Sequence, residues 1–154
     1  RPAMIEEYLK NRGVGYEVDQ HELAYTAQEE AAAEHVSGYE FAKTVIVTDG
    51  EEFFMLVLPA PYQADMEKAG ALIGREVRLA EEEEIRPLFT DCDLGAEPPF
   101  GSVFNLETYA DESLGEQDEI VFRAGSHEKV IKIDYEDWEE LENPSVGEIR
   151  AGTA

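Results

Sequence analysis

The sequence predicts an α+β fold: a single domain with a mixed, largely antiparallel sheet or partial barrel flanked by helices. Three observations predict it. Helix-like and strand-like periodicities are interleaved along the chain, with several hairpins and no βαβαβ alternation. No internal repeat and no linker interrupts the 154 residues. A chain of that length buries about 70% of its unfolded surface, so it needs neither a disulfide nor a metal to hold a core.

The elements follow in order. Residues 2–12 place Met4, Ile5, Tyr8 and Leu9 on one helical face, with Gly13 as the stop. "YEVDQH", residues 16–21, alternates as a half-buried strand does. Thr26 followed by Glu29 makes a capping box, which starts a helix running from about residue 27 to His35. In "KTVIVTDGEEFFMLVLP" two apolar runs flank Asp49-Gly50, the signature of a hairpin, and Pro59 ends its second strand. A helix over 64–73 closes at Gly74, and a short strand follows at "EVRL". A further helix covers 81–90, with Pro87 disturbing its end. Residues 91–103, "DCDLGAEPPFGSV", read as a rigid loop. Apolar stretches at 104–109, 119–124 and 129–133 complete the sheet, and Asp134 caps a last helix through Trp138 and Leu141. The domain is expected to span residues 1–142. Residues 143–154, small and polar, are expected to fray as a flexible tail.

Charge narrows the function. Against 36 acidic residues stand 12 basic ones, a formal net charge of −24. That is the wrong sign for a protein that binds nucleic acid through its whole surface, because phosphate contacts supply much of such affinity. The acids are spread along the chain rather than gathered in a tail, as in a solvation coat suited to high salt, so a halophilic setting is expected. The 43% hydrophobic fraction excludes disorder as the meaning of the charge. No run of 18 apolar residues exists, so no membrane span is expected. The start, "RPAMIEEYLK", lacks the apolar stretch of a secretory signal and has no Met at position 1, so native residues are expected to be missing there. The single cysteine, Cys92, excludes an internal disulfide and points to a reducing cytoplasm.

Several chemistries lack their motifs. There is no GxGxxG and no GxxxxGK[ST], so no nucleotide cofactor is expected. His21, His35, His127 and Cys92 have no metal-ligand spacing. Asp91 and Asp93 are spaced as at an EF-hand opening, but Gly95 and Ser102 stand where ligands are needed. Ser126-His127 are neighbours, and neighbours rarely point at each other as nucleophile and base. The loop "GAEPPFG", residues 95–101, is more informative. Its prolines stiffen the chain, and the amides of Gly95, Ala96, Glu97, Phe100 and Gly101 are left as donors for a ligand or an oxyanion. The alternative is a plain connection between helix and strand. Lys43 stands at the mouth of the apolar run "FAKTVIV", either as a solvated strand end or as a fixed positive charge. His127 reads as an exposed turn residue, Thr26 as a helix cap and His21 as a strand end.

Taken together, these pieces resemble the YbaK/prolyl-tRNA-synthetase-associated domain family, the aminoacyl-tRNA deacylases that edit mischarged tRNA in trans. "YEFAKTVIVTDG" resembles the family's lysine strand, with Lys43 in the place of the functional lysine and Thr44 after it. "GAEPPFG" matches the GxxxP loop as Gly95-x-x-x-Pro99, with Gly101 trailing. "VFRAGSHEKVIKIDYEDWEEL" is similar to the closing hairpin and helix, with Gly125 and His127 in the turn, and "HELAYTAQEEAA" to the segment bordering the pocket. The resemblance implies hydrolysis of the ester joining a small wrong amino acid to a tRNA 3′ end, that of tRNA-Pro or a related tRNA. No metal or cofactor is implied, because the ester is already activated and positioning with carbonyl polarisation suffices. It implies Lys43, Gly95 and Pro99 as catalytic residues. His21, Tyr25, Thr26, Thr44, Ala96, Gly101, Gly125 and His127 would contact substrate. The implied partners are an aminoacyl-tRNA 3′ end and an aminoacyl-tRNA synthetase, with no DNA and no membrane. Two other readings stay open: a non-catalytic module holding a charged tRNA end or a protein, and an acidic interaction protein.

The acidic coat leads to a first prediction. If it is an adaptation to salt, folding and activity require molar salt; a circular-dichroism melt showing full stability in dilute buffer would reject that origin.

Overall fold

Each apolar run ends where the chain meets a residue that cannot continue it. A computed structural model of the chain describes residues 3–20 and 38–152. Helix α1 (Ala3–Asn11) stops at Gly13, whose φ of 70° lets its amide reach the Lys10 carbonyl while the Val14 amide reaches that of Leu9. Strand β1 (Glu17–Gln20) follows. The helix expected from about residue 27 to His35, with its Thr26 cap, lies outside the described residues.

β2 (Ala42–Thr48) and β3 (Phe53–Pro59) form the predicted hairpin, paired from Ala42↔Pro59 to Thr48↔Phe53. The turn holds four residues, because Asp49 Oδ1 accepts the amides of Glu51 and Glu52 at 2.8 and 2.7 Å. Helix α2 (Met66–Ile73) begins two residues later than expected: Ala64 bridges Arg150, and the Asp65 carboxylate caps the helix through the Lys68 amide. After β4 (Arg78–Leu79), the helix expected over 81–90 shrinks to one turn, α3 (Glu82–Ile85). Pro87 cannot donate back to Glu83, so the chain continues to Thr90 in turns. The expected rigid loop ends in a 3-10 turn, Gly101–Phe104.

β5 (Glu107–Asp111) lies parallel to β3. A second 3-10 turn, Glu112–Glu116, leads to the hairpin of β6 (Glu119–Arg123) and β7 (Lys129–Asp134). Asp134 occupies the N-cap of helix α4 (Tyr135–Glu142), though its side chain makes no capping bond. Residues 143–152 do not fray. Ser145–Gly147 adds strand β8 parallel to β5, Ile149 is fully buried, and Asp111 accepts the amides of Ile149 and Arg150 and pairs with the Arg150 guanidinium. One buried isoleucine and one buried carboxylate outweigh a polar composition here. Burial pushes Asp111 up, but Ser113, Ile149 and Arg150 outweigh it and hold the carboxyl below its ordinary range.

The strands make two sheets, β4-β2-β3-β5-β8 and β1-β7-β6, joined where Phe41 bridges Val121 in parallel. Ala42, Ile46, Met55 and Val57 of the larger sheet face Ile120, Phe122 and Ile131 of the smaller, and α1 and α4 close this core with Leu9 and Trp138. Val47, Phe54 and Leu56 line the opposite face under Ala69 of α2 and Ile149. A strand covered on both faces has no polar side, which is why "FFMLVLP" reads as an unbroken apolar run. Among the described residues no helix is long and apolar enough to cross a membrane.

Ile149→Ala is expected to cost about 2–4 kcal/mol in denaturant unfolding. A loss below about 0.5 kcal/mol, the scale of an ordinary surface change, would return residues 143–152 to the status of a tail.

Candidate functional site

The proline-rich loop is held from three sides. At its start, Gly95 sits at φ 87°, a left-handed conformation that side chains resist. Two backbone hydrogen bonds join it to the turn after β6: the Asp93 amide donates to the Gly125 carbonyl and the Gly125 amide to the Ala96 carbonyl, both at 2.8 Å. At its far end α4 provides the support. Trp138 Nε1 donates to the Pro99 carbonyl at 2.8 Å, and one turn on the Glu142 carboxylate accepts from the Ser102 amide, the Ser102 hydroxyl and the Thr108 hydroxyl. Burial pushes the Glu142 carboxyl up, against these three donors.

The expected row of open amides is not there. Gly95 donates to Glu97 Oε2, Glu97 to its own carboxylate, Ala96 to the Asp93 carbonyl, Phe100 to the Pro98 carbonyl and Gly101 to Thr108 Oγ1. Residues 96–101 are buried, so the loop satisfies its own backbone before it meets any ligand. Ala96, Pro99, Gly101 and Gly125 therefore act on the loop's shape. At Gly101 this is strict: a Cβ would lie 2.3 Å from Thr108 Oγ1 and 2.7 Å from the Leu106 carbonyl oxygen.

His127 is not a free turn residue. Its Nε2 lies 2.8 Å from the Leu94 carbonyl and must carry the hydrogen, since a carbonyl only accepts. Its Nδ1 is buried with no hydrogen-bond partner, and a Cβ on Gly95 would sit 3.5 Å from Cε1 of the ring. Arg123, buried at the end of β6, reaches toward the Gly95 carbonyl at 3.5 Å and lies over the Phe41 ring at 6.0 Å.

Phe41 also brings in the lysine. Its parallel bridge to Val121 puts the first residues of β2 beside β6, so Lys43 and Arg123, each two residues further on, share one side of the joint. Lys43 is half-buried, and burial alone pushes its ammonium below the ordinary value of 10.5. Thr44 points to the opposite face with Ala42 and Ile46, where its Oγ1 is buried with no hydrogen-bond partner. The two neighbours cannot line one pocket with their side chains. His21, Tyr25 and Thr26 lie outside the described residues.

Most other cations are already matched. Lys68 pairs with Glu148, Arg75 with Asp49 and Glu52, Arg78 with Glu84, and Arg86 with Glu82. Lys129 pairs with Glu6, Lys132 with Glu119, and Arg150 with Asp111. Among the described residues no three of His, Cys, Asp and Glu gather as a metal site. Sequence reasoning missed Glu97, Arg123, Trp138 and Glu142. Signals for two of them were present: Glu97 stands between Ala96 and Pro98 in a stiff, apolar segment, and Arg123 closes an apolar strand.

A model of the aminoacyl-tRNA editing domain matches residues 21–141. A crystal structure of a candidate trans-editing enzyme for prolyl tRNA synthetase superposes with a TM-score of 0.88 at 24% identity, covering 98% of this chain and 97% of that one. The hypothetical protein APE2540 gives 0.87 at 24% identity, covering 96% and 99%. A scaffold from work on epitope backbone grafting by computational design gives 0.88 at 21%, covering 99% and 97%. At these identities the three solved structures establish the fold. No curated protein matches the chain.

Two glycine variants separate shape from chemistry. Gly101→Ala is expected to lose about 1–3 kcal/mol from the collision with Thr108 and Leu106. Gly95→Ala has room for its Cβ and loses only the left-handed term, about 1 kcal/mol. Chemical denaturation of both variants, with Gly95→Ala as the more damaged protein, would overturn this assignment.

Proposed function

The chain belongs to the aminoacyl-tRNA editing domain family, and from that premise we propose that it hydrolyses the ester of mischarged aminoacyl-tRNA in trans, with a small amino acid on tRNA-Pro or a related tRNA as substrate. The observation that carries this reading is Lys43. In a chain of net charge −24 it is a half-buried ammonium with no carboxylate partner among the described residues, two residues after the bridge to β6, the strand whose following turn holds the Gly95 loop. An uncompensated buried cation is costly, and an anion arriving beside it removes that cost.

In this reading Lys43 takes the negative charge of the 3′ end or of the developing oxyanion. Water adds to the ester carbonyl carbon, the bond to the ribose oxygen breaks, and that oxygen leaves with the electron pair and takes a proton. The products are the free amino acid and the uncharged tRNA. The Gly95–Pro99 loop supplies a rigid wall, with His127 and Arg123 fixing its entry; its own amides do not supply the oxyanion donors. A mischarged ester needs only modest acceleration, which positioning and one fixed charge can provide. The occupied amides also favour a second reading, in which the site binds a charged tRNA end without cleaving it.

A deacylation panel decides between them. Alanine, cysteine and serine on tRNA-Pro, with other mischarged tRNAs, are offered to wild type and to Lys43→Ala. Hydrolysis of at least one ester is expected, with the variant slower by about 10²-fold or more. Binding without hydrolysis of any ester would leave the second reading, and equal rates for the two proteins would remove Lys43 from the chemistry.

A further inference from the structure

We propose that Glu97 is the receptor for the α-ammonium group of the aminoacyl moiety, so that the site accepts esters with an unblocked primary amine. This rests on the deacylase reading and names which end of the substrate each charge holds. Glu97 lines a cavity of about 250 Å³ beneath the loop. Phe89 and Leu94 form part of its apolar wall, Thr90 and Cys92 add polar groups, and Arg86 stands at its edge. The Glu97 residue is only 7% exposed, which is rare for a carboxylate without a salt bridge.

The charges around it do not neutralise it. Arg86 is committed to Glu82 at 3.4 Å, with a side chain 66% exposed. His127 faces Glu97 from the β6–β7 turn, but its ring hydrogen goes to the Leu94 carbonyl. Burial, then the neighbouring Glu97 charge, pushes the Cys92 thiol up to about 11, so it stays an uncharged S–H. No ion pair to Glu97 forms among the described residues, and burial holds its carboxyl above the ordinary value of 4.5. The structural job visible for Glu97 is to accept its own backbone amide and the Gly95 amide, the latter at 3.1 Å. A glutamine would do that without burying a charge. The unexplained property is therefore the charge itself, and it faces a cavity able to hold an ammonium and a short side chain.

The two charges suit the substrate. An aminoacylated 3′ end carries a phosphate anion on one side of the ester and an ammonium on the other. Lys43 and Glu97 offer the opposite signs, Lys43 two residues after the Phe41–Val121 bridge to β6 and Glu97 on the loop tied to the turn after β6.

The test uses two non-hydrolysable probes, adenosine carrying alanine through a 3′-amide and its lactyl counterpart with hydroxyl in place of the amine. Wild type is expected to prefer the amine by about tenfold or more in calorimetric titration, the scale of a charge-assisted hydrogen bond. Glu97→Gln should lose that preference by weakening the amine probe alone, and Glu97→Asp should keep part of it. Wild type binding both probes equally, while still deacylating mischarged tRNA, would overturn the role of Glu97 and leave the function standing. That role falls equally if Glu97→Gln weakens both probes alike. Failure of wild type to bind either probe or to cleave any ester would overturn the deacylase reading and this one with it.

Discussion

Two peptide hydrogen bonds, exchanged between Gly125 and the turn from Asp93 to Ala96, set the position of everything else in the site. The loop could not find this place through its own chemistry. Pro98 and Pro99 have no N–H groups, so it cannot join a sheet edge as a strand. Its order comes from outside: Gly125 at one end, and Trp138 and Glu142 of α4 at the other. Because α4 packs into the same core as the two sheets, the loop's position is fixed by the packing of the whole domain. Changes at Trp138 would thus reach the site without touching a substrate.

The same dependence joins the lysine to the loop. The single bridge between Phe41 and Val121 turns two separate sheets into one partly closed wall. Lys43 lies on the larger sheet and the Gly95 loop hangs from the smaller, so their spacing is a property of that seam. A parallel contact between strands far apart in sequence requires long-range closure, which is slow to form but hard to distort once both faces are packed. Lys43 and the loop, set on the two sides of that seam, therefore keep a set separation.

Much of this is legible in the residues, and the exceptions have common causes. The Asp49-Gly50 hairpin, the Gly74 stop and the β6–β7 pair follow from local periodicity and turn chemistry, which act over a few residues. The C-terminal segment escapes such a reading because Ile149 and Arg150 are ordinary in composition; their meaning comes from Asp111, far away in sequence. The acidic start of α3 is a good helix signal and suggests a longer helix, while Pro87 removes a donor just where the second turn would close. Glycines and prolines do mark the Gly95 loop as rigid. The partners that consume its amides, Thr108 and the Glu97 side chain, cannot be assigned from spacing. His127 falls in the expected turn, but its bond to Leu94 needs the folded hairpin beside the loop.

The acidic composition then takes on a local meaning. Seven of the twelve basic residues are paired with surface or buried acids and present no continuous basic face to a tRNA. Affinity cannot come from many phosphate contacts, and in high salt those contacts would be weak in any case. A protein so charged repels a polyanion over most of its surface and can accept one only where a cation stands without its acid. Among the described residues the half-buried Lys43 meets that condition, as do the exposed Lys10 and Arg12. In the proposed function, the surrounding negative field penalises approaches of a tRNA away from these cations. On this view the excess of acid would contribute to specificity by disfavouring contact along the rest of the polyanion.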